Sequence, residues 1–228
     1  MVLRETGEPL DAVMSYANFT LQNTTLLTVG LERLRKAGVS VVPNASPLGM
    51  GLLRSVGVPV GGKGDFHPAP RELRERVAQA AKAIGEGEGG ERLETVSIRW
   101  ALEEWLRVGG IVGNAEGGGV SVMGVSKIEE LEETMRVWSS ILDGAKNARS
   151  TTRDEEKRQW SLARRKEVQG KAELVWTILG EWKDYVWDSP EKGYVNLRDA
   201  EKAAVVEEIV SEGLIVDGRE SAVKDSRL

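Results

Sequence analysis

The chain has 228 residues, 29% of them charged and 40% hydrophobic, with a formal net charge of -5, a single histidine and no cysteine. Disulfides, thiol catalysis and cysteine-ligated metals are thereby excluded, and an acidic chain lacks the basic face that a nucleic-acid partner requires. No apolar run reaches the length of a membrane span and Met1-Val-Leu-Arg-Glu5 lacks a secretory apolar core, so no membrane partner is expected and the cytoplasm is the expected compartment.

Ala12 to Ala17 is apolar-rich and reads as a strand. Thr24 or Thr25 is placed to cap a following helix with Leu27, Leu31 and Leu34 on one face, Lys36 near its end and Gly38 as its stop. The β-branched run Val39 to Val42 reads as a buried strand that breaks at Pro43. Strand, helix and strand with short connections make a βαβ unit and hence a parallel sheet. Arg54 to Pro70 is a long Gly- and Pro-containing connection, of a length that is usually functional or disordered. Pro70 opens a helix running to Ile84, with Leu73, Val77, Ala80, Ala81 and Ile84 facing inward, and the acidic glycine run Gly85 to Gly90 ends it.

Arg92 to Leu106 is strongly helical, and a second glycine-rich loop, Gly109 to Gly119, leads to a strand over Val120 to Val125. Ser126 is placed to cap a helix over Ile128 to Leu142 whose expected core stripe is Leu131, Met135, Trp138 and Leu142. From Ala145 the composition shifts, so the expected division is 1–144 and 145–228. Arg149 to Lys171 carries dense charge of both signs, as in a solvated helix with local ion pairs. Leu174 to Trp187 adds Trp176, Trp182 and Trp187, whose expected role is to dock this extension by packing. A further amphipathic helix is expected over Leu197 to Ile209, before a polar end.

The segment Asn44 to Gly51 turns the chain at the carboxyl end of its strand, where α/β folds hold ligands. The Ser46 hydroxyl can donate to a phosphate oxygen, and Gly49 and Gly51 permit close backbone approach. Four blocks occur in fixed order: Asp11-Ala-Val-Met-Ser-Tyr-Ala-Asn-Phe-Thr-Leu-Gln-Asn23, Asn44-Ala-Ser-Pro-Leu-Gly-Met-Gly-Leu-Leu53, His67-Pro-Ala-Pro70 and Met123-Gly-Val-Ser-Lys-Ile-Glu-Glu-Leu-Glu-Glu133. Together they resemble the aldo-keto reductases over roughly residues 10 to 143, in the branch of D-arabinose and L-galactose dehydrogenases, and they match the C-terminal half of that family's barrel.

The resemblance implies an α/β fold, the C-terminal part of a (β/α)8 TIM barrel with about three parallel strands, carrying a C-terminal helical extension. It implies NAD or NADP as cofactor and an aldose as substrate, oxidised at its anomeric hydroxyl to a lactone. Ser46, Pro47, Leu48 and Gly49 match the family loop that wraps the pyrophosphate and ribose, while Ala45 replaces the tyrosine that many members stack on the nicotinamide. Gly124, Val125 and Ser126 open a helix whose amides face the adenosine end. Glu133 matches the acid that contacts the adenine amino group, and Thr134 departs from the usual asparagine. Glu130 stands where NADP-preferring members carry an arginine, so a modest preference for NAD is expected. Read without the resemblance, Glu129, Glu130, Glu132 and Glu133 form a solvated helix face.

The family's catalytic tyrosine, lysine, aspartate and histidine lie on N-terminal strands that have no match in this sequence. Tyr16, Tyr185, Tyr194 and His67 are outside the catalytic motif, so no catalytic residue is assigned, and the chain alone is expected to be inactive. Three parallel strands alone would expose long edges, which makes the missing N-terminal half-barrel the implied partner. The alternatives are a non-catalytic barrel remnant that binds a nucleotide or a partner, and a fragment without function.

Overall fold

Three short strands, β1 (Ser15–Tyr16), β2 (Asn44–Ala45) and β3 (Ser121–Val122), pair in parallel in the order β1-β2-β3. The computed structural model describes residues 10–59, 67–87, 89–109, 119–145 and 152–187. The chain divides into two compact units, 1–187 and 188–228, and every described residue belongs to the first. The helix expected at Leu197–Ile209 and most of the Gly109–Gly119 loop lie outside the described residues.

The pairing between β1 and β2 begins at a bridge between Ala12 and Val41 and does not stop at Pro43. Proline removes a donor but keeps its carbonyl. The Pro43 oxygen accepts from Ser15 N at 2.9 Å, and Asn44 N donates to Val120 O at 2.9 Å, so the pairing runs on through Asn44 and Ala45. Ser15, Asn44 and Ser121 form one row across the sheet, and Tyr16, Ala45 and Val122 form the next. Alternate residues point to opposite faces. On the row of Asn44 the sheet is covered, with Asn44 and Val42 buried. On the other face Met14, Tyr16, Val41, Val120 and Val122 are exposed.

The helix after β1 starts as a wide turn, Leu26–Gly30, that continues into α1 (Leu31–Lys36). The wider winding rotates the buried position from the expected Leu27 to Leu26, and Leu27 is exposed. Its caps also differ from expectation. No threonine side chain caps the turn; instead Thr24 N and Oγ1 donate to Asp184 Oδ1 at 2.6 and 2.8 Å, and Thr25 N and Oγ1 donate to Asn23 Oδ1 at 3.0 and 2.7 Å.

Helix α2 (Arg71–Glu86) buries Leu73, Val77, Ala80, Ala81 and Ile84, the expected face. Helix α3 (Leu93–Val108) is the hub of the core, with Phe19 packed 5.4 Å from Trp100 and 4.9 Å from Trp105, ring centre to ring centre. Helix α4 (Ile128–Ala145) corrects the expected stripe. Ile141 is fully buried and Val137 half-buried, whereas Leu131, Met135 and Leu142 are exposed. The helix carries two adjacent apolar stripes, and its contacts with α3 and α5 select the one containing Ile141.

Helix α5 (Thr152–Leu179) closes over α2, α3 and α4 and adds Val168, Ala172, Val175 and Leu179 to the core. It meets α4 closely at Gly144, where a Cβ would lie 2.6 Å from Ser161 Oγ. Arg99 of α3 bolts the three helices together, donating to Ser140 Oγ on α4 and to Ser161 O and Oγ on α5. Trp176 packs edge-on to Trp100 at 5.8 Å and donates its indole N–H to Leu21 O at 2.8 Å. Trp182 and Trp187 also pack against the core, so Trp176, Trp182 and Trp187 serve packing. Among the described residues no helix is long and apolar enough to cross a membrane.

Candidate functional site

The segments that leave β2 and β3 at their carboxyl ends, together with the facing turns of α3 and α4, enclose a cleft of about 660 Å3. After β2 the chain folds into a tight knot. Gly49 N donates to Ser46 O, Met50 N to Ser46 Oγ at 2.8 Å, Gly51 N to Leu48 O, Leu52 N to Gly49 O, Leu53 N to Leu48 O and Arg54 N to Gly51 O. Ser46 and Met50 take φ of 60° and 58°, left-handed values that non-glycine residues seldom adopt and that cluster at functional sites. Gly51, at φ 90°, has the freedom this path requires.

Two side chains from outside hold the knot. His67 is buried, and its Nε2 lies 2.8 Å from Gly49 O while Ala69 N donates to Nδ1 at 3.0 Å. Ser55 Oγ accepts from Leu93 N at 3.0 Å, and Glu94 Oε2 accepts from Ser55 N and Oγ at 2.8 and 2.7 Å. Burial works against ionisation of Glu94, but the two Ser55 hydrogen bonds hold its carboxyl below the ordinary range. The first turn of α3 is thus fastened to the end of the knot.

Across the cleft, α4 presents its acidic first turn. Glu130 Oε2 accepts from Ser126 N at 2.8 Å, so a carboxylate of the helix itself occupies this exposed amide. Glu133 spends both oxygens at the start of α3, one on the guanidinium of Arg92, the residue before the helix, and one on Thr95 Oγ1 at 2.9 Å. The Arg92 hydrogen bond, opposed by burial, holds the Glu133 carboxyl below its usual range.

Of the residues singled out from the sequence, Ser46, Pro47, Leu48, Gly124, Val125, Ser126, Glu130, Glu133 and Thr134 all line this cleft. Gly49 does not; it sits behind the knot with its carbonyl turned to His67. Sequence reasoning passed over Tyr16, Arg54, Arg92 and Glu94, which line the same cleft. The available signal for Tyr16 was its alternation with Met14 along β1. For Arg54, Arg92 and Glu94 no periodicity marks the role, because each lies in a loop or a helix end. Among the described residues no cluster of three or more potential ligands could hold a metal ion.

This cleft lies within the part of the chain, residues 3–152, that matches the profile of the Aldo/keto reductase family. The chain belongs to that family. Its members are oxidoreductases that act on small molecules and generally use NAD(P)H. Over 123 residues the chain is 42% identical to the D-arabinose 1-dehydrogenase of Saccharomyces cerevisiae (strain ATCC 204508 / S288c), a match covering 54% of this chain and 32% of that protein. The chain therefore spans about a third of the length of the curated relative it matches. All four sequence blocks, including the knot and the acidic first turn of α4, fall inside the family match.

Proposed function

We propose that this chain is the cofactor-holding part of an NAD(P)-dependent aldose 1-dehydrogenase of the aldo-keto reductase family, acting on a D-arabinose-like sugar to give a lactone. The observation that carries the reading is the convergence of the Ser46–Gly51 knot and the first turn of α4 on one cleft. Its volume falls in the range of small-molecule and cofactor pockets, and the Ser46 hydroxyl, which accepts from Met50 N, keeps its own proton for a ligand oxygen. The residues present therefore fit a nicotinamide dinucleotide.

A bound dinucleotide would supply the hydride acceptor. The chain's own residues bind and orient it: Ser46, Pro47, Leu48 and Gly51 along the phosphates and ribose, and Gly124, Val125, Ser126, Glu133 and Thr134 at the adenosine end. Gly49 acts through the shape of the knot. Tyr16 is the register partner of Ala45 and is exposed in the cleft. It is our candidate for the ring that stacks on the nicotinamide. Glu130, fixed on the Ser126 amide, favours NAD over NADP, since it would repel a 2′-phosphate by an amount on the order of a kcal/mol at such an exposed site.

We assign the proton transfer to strands outside these 228 residues, because none of Tyr16, Tyr185, Tyr194 or His67 lies in the family's catalytic motif. His67 has both ring nitrogens committed to backbone. The partner of the sheet is then the N-terminal half of the barrel. The exposed apolar side chains of Met14, Val41, Val120 and Val122 on one face of the sheet support the assignment, since parallel strands are normally covered on both faces. On this reading residues 1–144 are the reductase portion, 145–228 the extension, and the compartment the cytoplasm. The test is an absorbance assay for NADH or NADPH formation with D-arabinose. The 228-residue chain alone should show no turnover, and turnover appearing on addition of an N-terminal half-barrel would support the division of labour. Turnover by the chain alone would overturn it.

A further inference from the structure

Every backbone N–H from Gly49 to Arg54 donates to an acceptor inside the knot, and the Ser126 amide at the start of α4 is taken by Glu130. These amides are spent within the protein, and the cleft is lined by three carboxylates, Glu94, Glu130 and Glu133. Among the described residues two cations line it, Arg54 and Arg92. Arg92 is committed to Glu133, with Glu94 a further 3.7 Å contact.

Arg54 is not committed. Among the described residues its guanidinium makes no hydrogen bond or ion pair. Its stem runs along the knot, with Cδ 3.7 Å from where a Gly51 Cβ would stand, which sets the side chain beside the Ser46–Gly51 wall. A planar guanidinium with unspent donors suits a phosphate oxygen pair, and an uncompensated cation facing a carboxylate-lined cleft places the attraction for anions at one end of it.

We propose that Arg54 is the anion-binding residue of this cleft and takes the diphosphate of a dinucleotide. The proposal rests on the dinucleotide reading given above and adds to it the residue that supplies the charge. It also divides the cleft electrostatically: the knot end, at Arg54, accepts phosphate, and the α4 end, at Glu130, rejects it. A ligand with its phosphates only at the centre is thus selected over one with an additional phosphate on the adenosine ribose.

The test uses the full 228-residue chain and its Arg54→Gln variant, titrated calorimetrically with ADP-ribose, with inorganic pyrophosphate and with adenosine. The substitution is on an exposed side chain, and circular dichroism checks that both proteins are folded. Loss of about tenfold in affinity for ADP-ribose and pyrophosphate, with adenosine affinity changed less than twofold, is the expected result. Raising the salt concentration should weaken ADP-ribose binding to the unmodified chain more steeply than to the variant. Equal ADP-ribose affinity in the two proteins would overturn the role of Arg54 and leave the dinucleotide reading standing. Failure of the folded, unmodified chain to bind both ADP-ribose and adenosine would overturn the dinucleotide reading itself.

Discussion

His67 holds the carbonyl of Gly49. Because Ala69 N–H donates to Nδ1 at 3.0 Å, the ring must carry its proton on Nε2, which then donates to the Gly49 oxygen at 2.8 Å. One buried neutral imidazole thus ties the entrance of α2 to the knot after β2. His67→Ala leaves the buried Ala69 N–H without its acceptor and the Gly49 oxygen with Leu52 N as its remaining donor. The expected cost is about 1–3 kcal/mol in a urea titration, together with faster hydrogen exchange at the amides of Gly49 to Leu53.

The knot, the inward face of α2 and the helical character of α3 were all legible in the sequence. Leu73, Val77, Ala80, Ala81 and Ile84 recur at helical spacing with polar residues between them, so only one face could be buried. Helix α4 misled for the opposite reason. Val137 and Ile141 lie beside Trp138 and Leu142, and spacing alone does not say which stripe meets α3 and α5. The bond from Thr24 to Asp184 crosses 160 residues of sequence, and a local reading assigns the cap to the nearest hydroxyl instead. The same limit hid Arg54, Arg92 and Glu94, whose place at the cleft depends on how a loop and two helix ends come together.

Glu130 decides the cofactor preference in this reading. Glu130→Ala removes a carboxylate and frees the Ser126 amide at the start of α4. The ratio of NADP to NAD affinity should rise by about fivefold to tenfold, as expected for an exposed charge worth on the order of a kcal/mol. An unchanged ratio in paired fluorescence titrations would remove Glu130 as the discriminating group.

Tyr16 separates the nicotinamide end from the rest. Tyr16→Ala should weaken NAD binding about fivefold and leave ADP-ribose binding within twofold, because only the former ligand carries the ring that Tyr16 would stack on. Equal losses for both ligands, measured by calorimetry, would mean that Tyr16 shapes the cleft instead.

The segment from Thr152 to Trp187 is structural. Leu179 is buried in the shared core, and Leu179→Ala should destabilise the chain by about 2–5 kcal/mol. A chain ended at residue 151 loses the whole of α5 and should show no cooperative thermal transition. A sharp melt of that truncated chain would show that the sheet and α2 to α4 stand without it.

Acid should loosen α5 first. Hydrogen bonds from Arg164 and Lys171 hold the Glu167 carboxyl at about 2, from an ordinary 4.5. Burial raises Glu91, but the same two cations outweigh it and keep it below its usual value. Both folded carboxyls titrate below their unfolded counterparts, so their contribution is full above pH 4.5 and is lost as pH falls toward about 2. Glu167 is half exposed, and added salt should shrink the effect. Thermal midpoints measured from pH 6 downward should fall less steeply in Glu167→Gln than in the unmodified chain.

The most direct measurement is a calorimetric titration of the folded 228-residue chain with NAD and, separately, with NADP. Binding of one NAD per chain, tighter than NADP, is the predicted result. A folded chain that takes up neither dinucleotide would contradict the assignment of this cleft as a cofactor site.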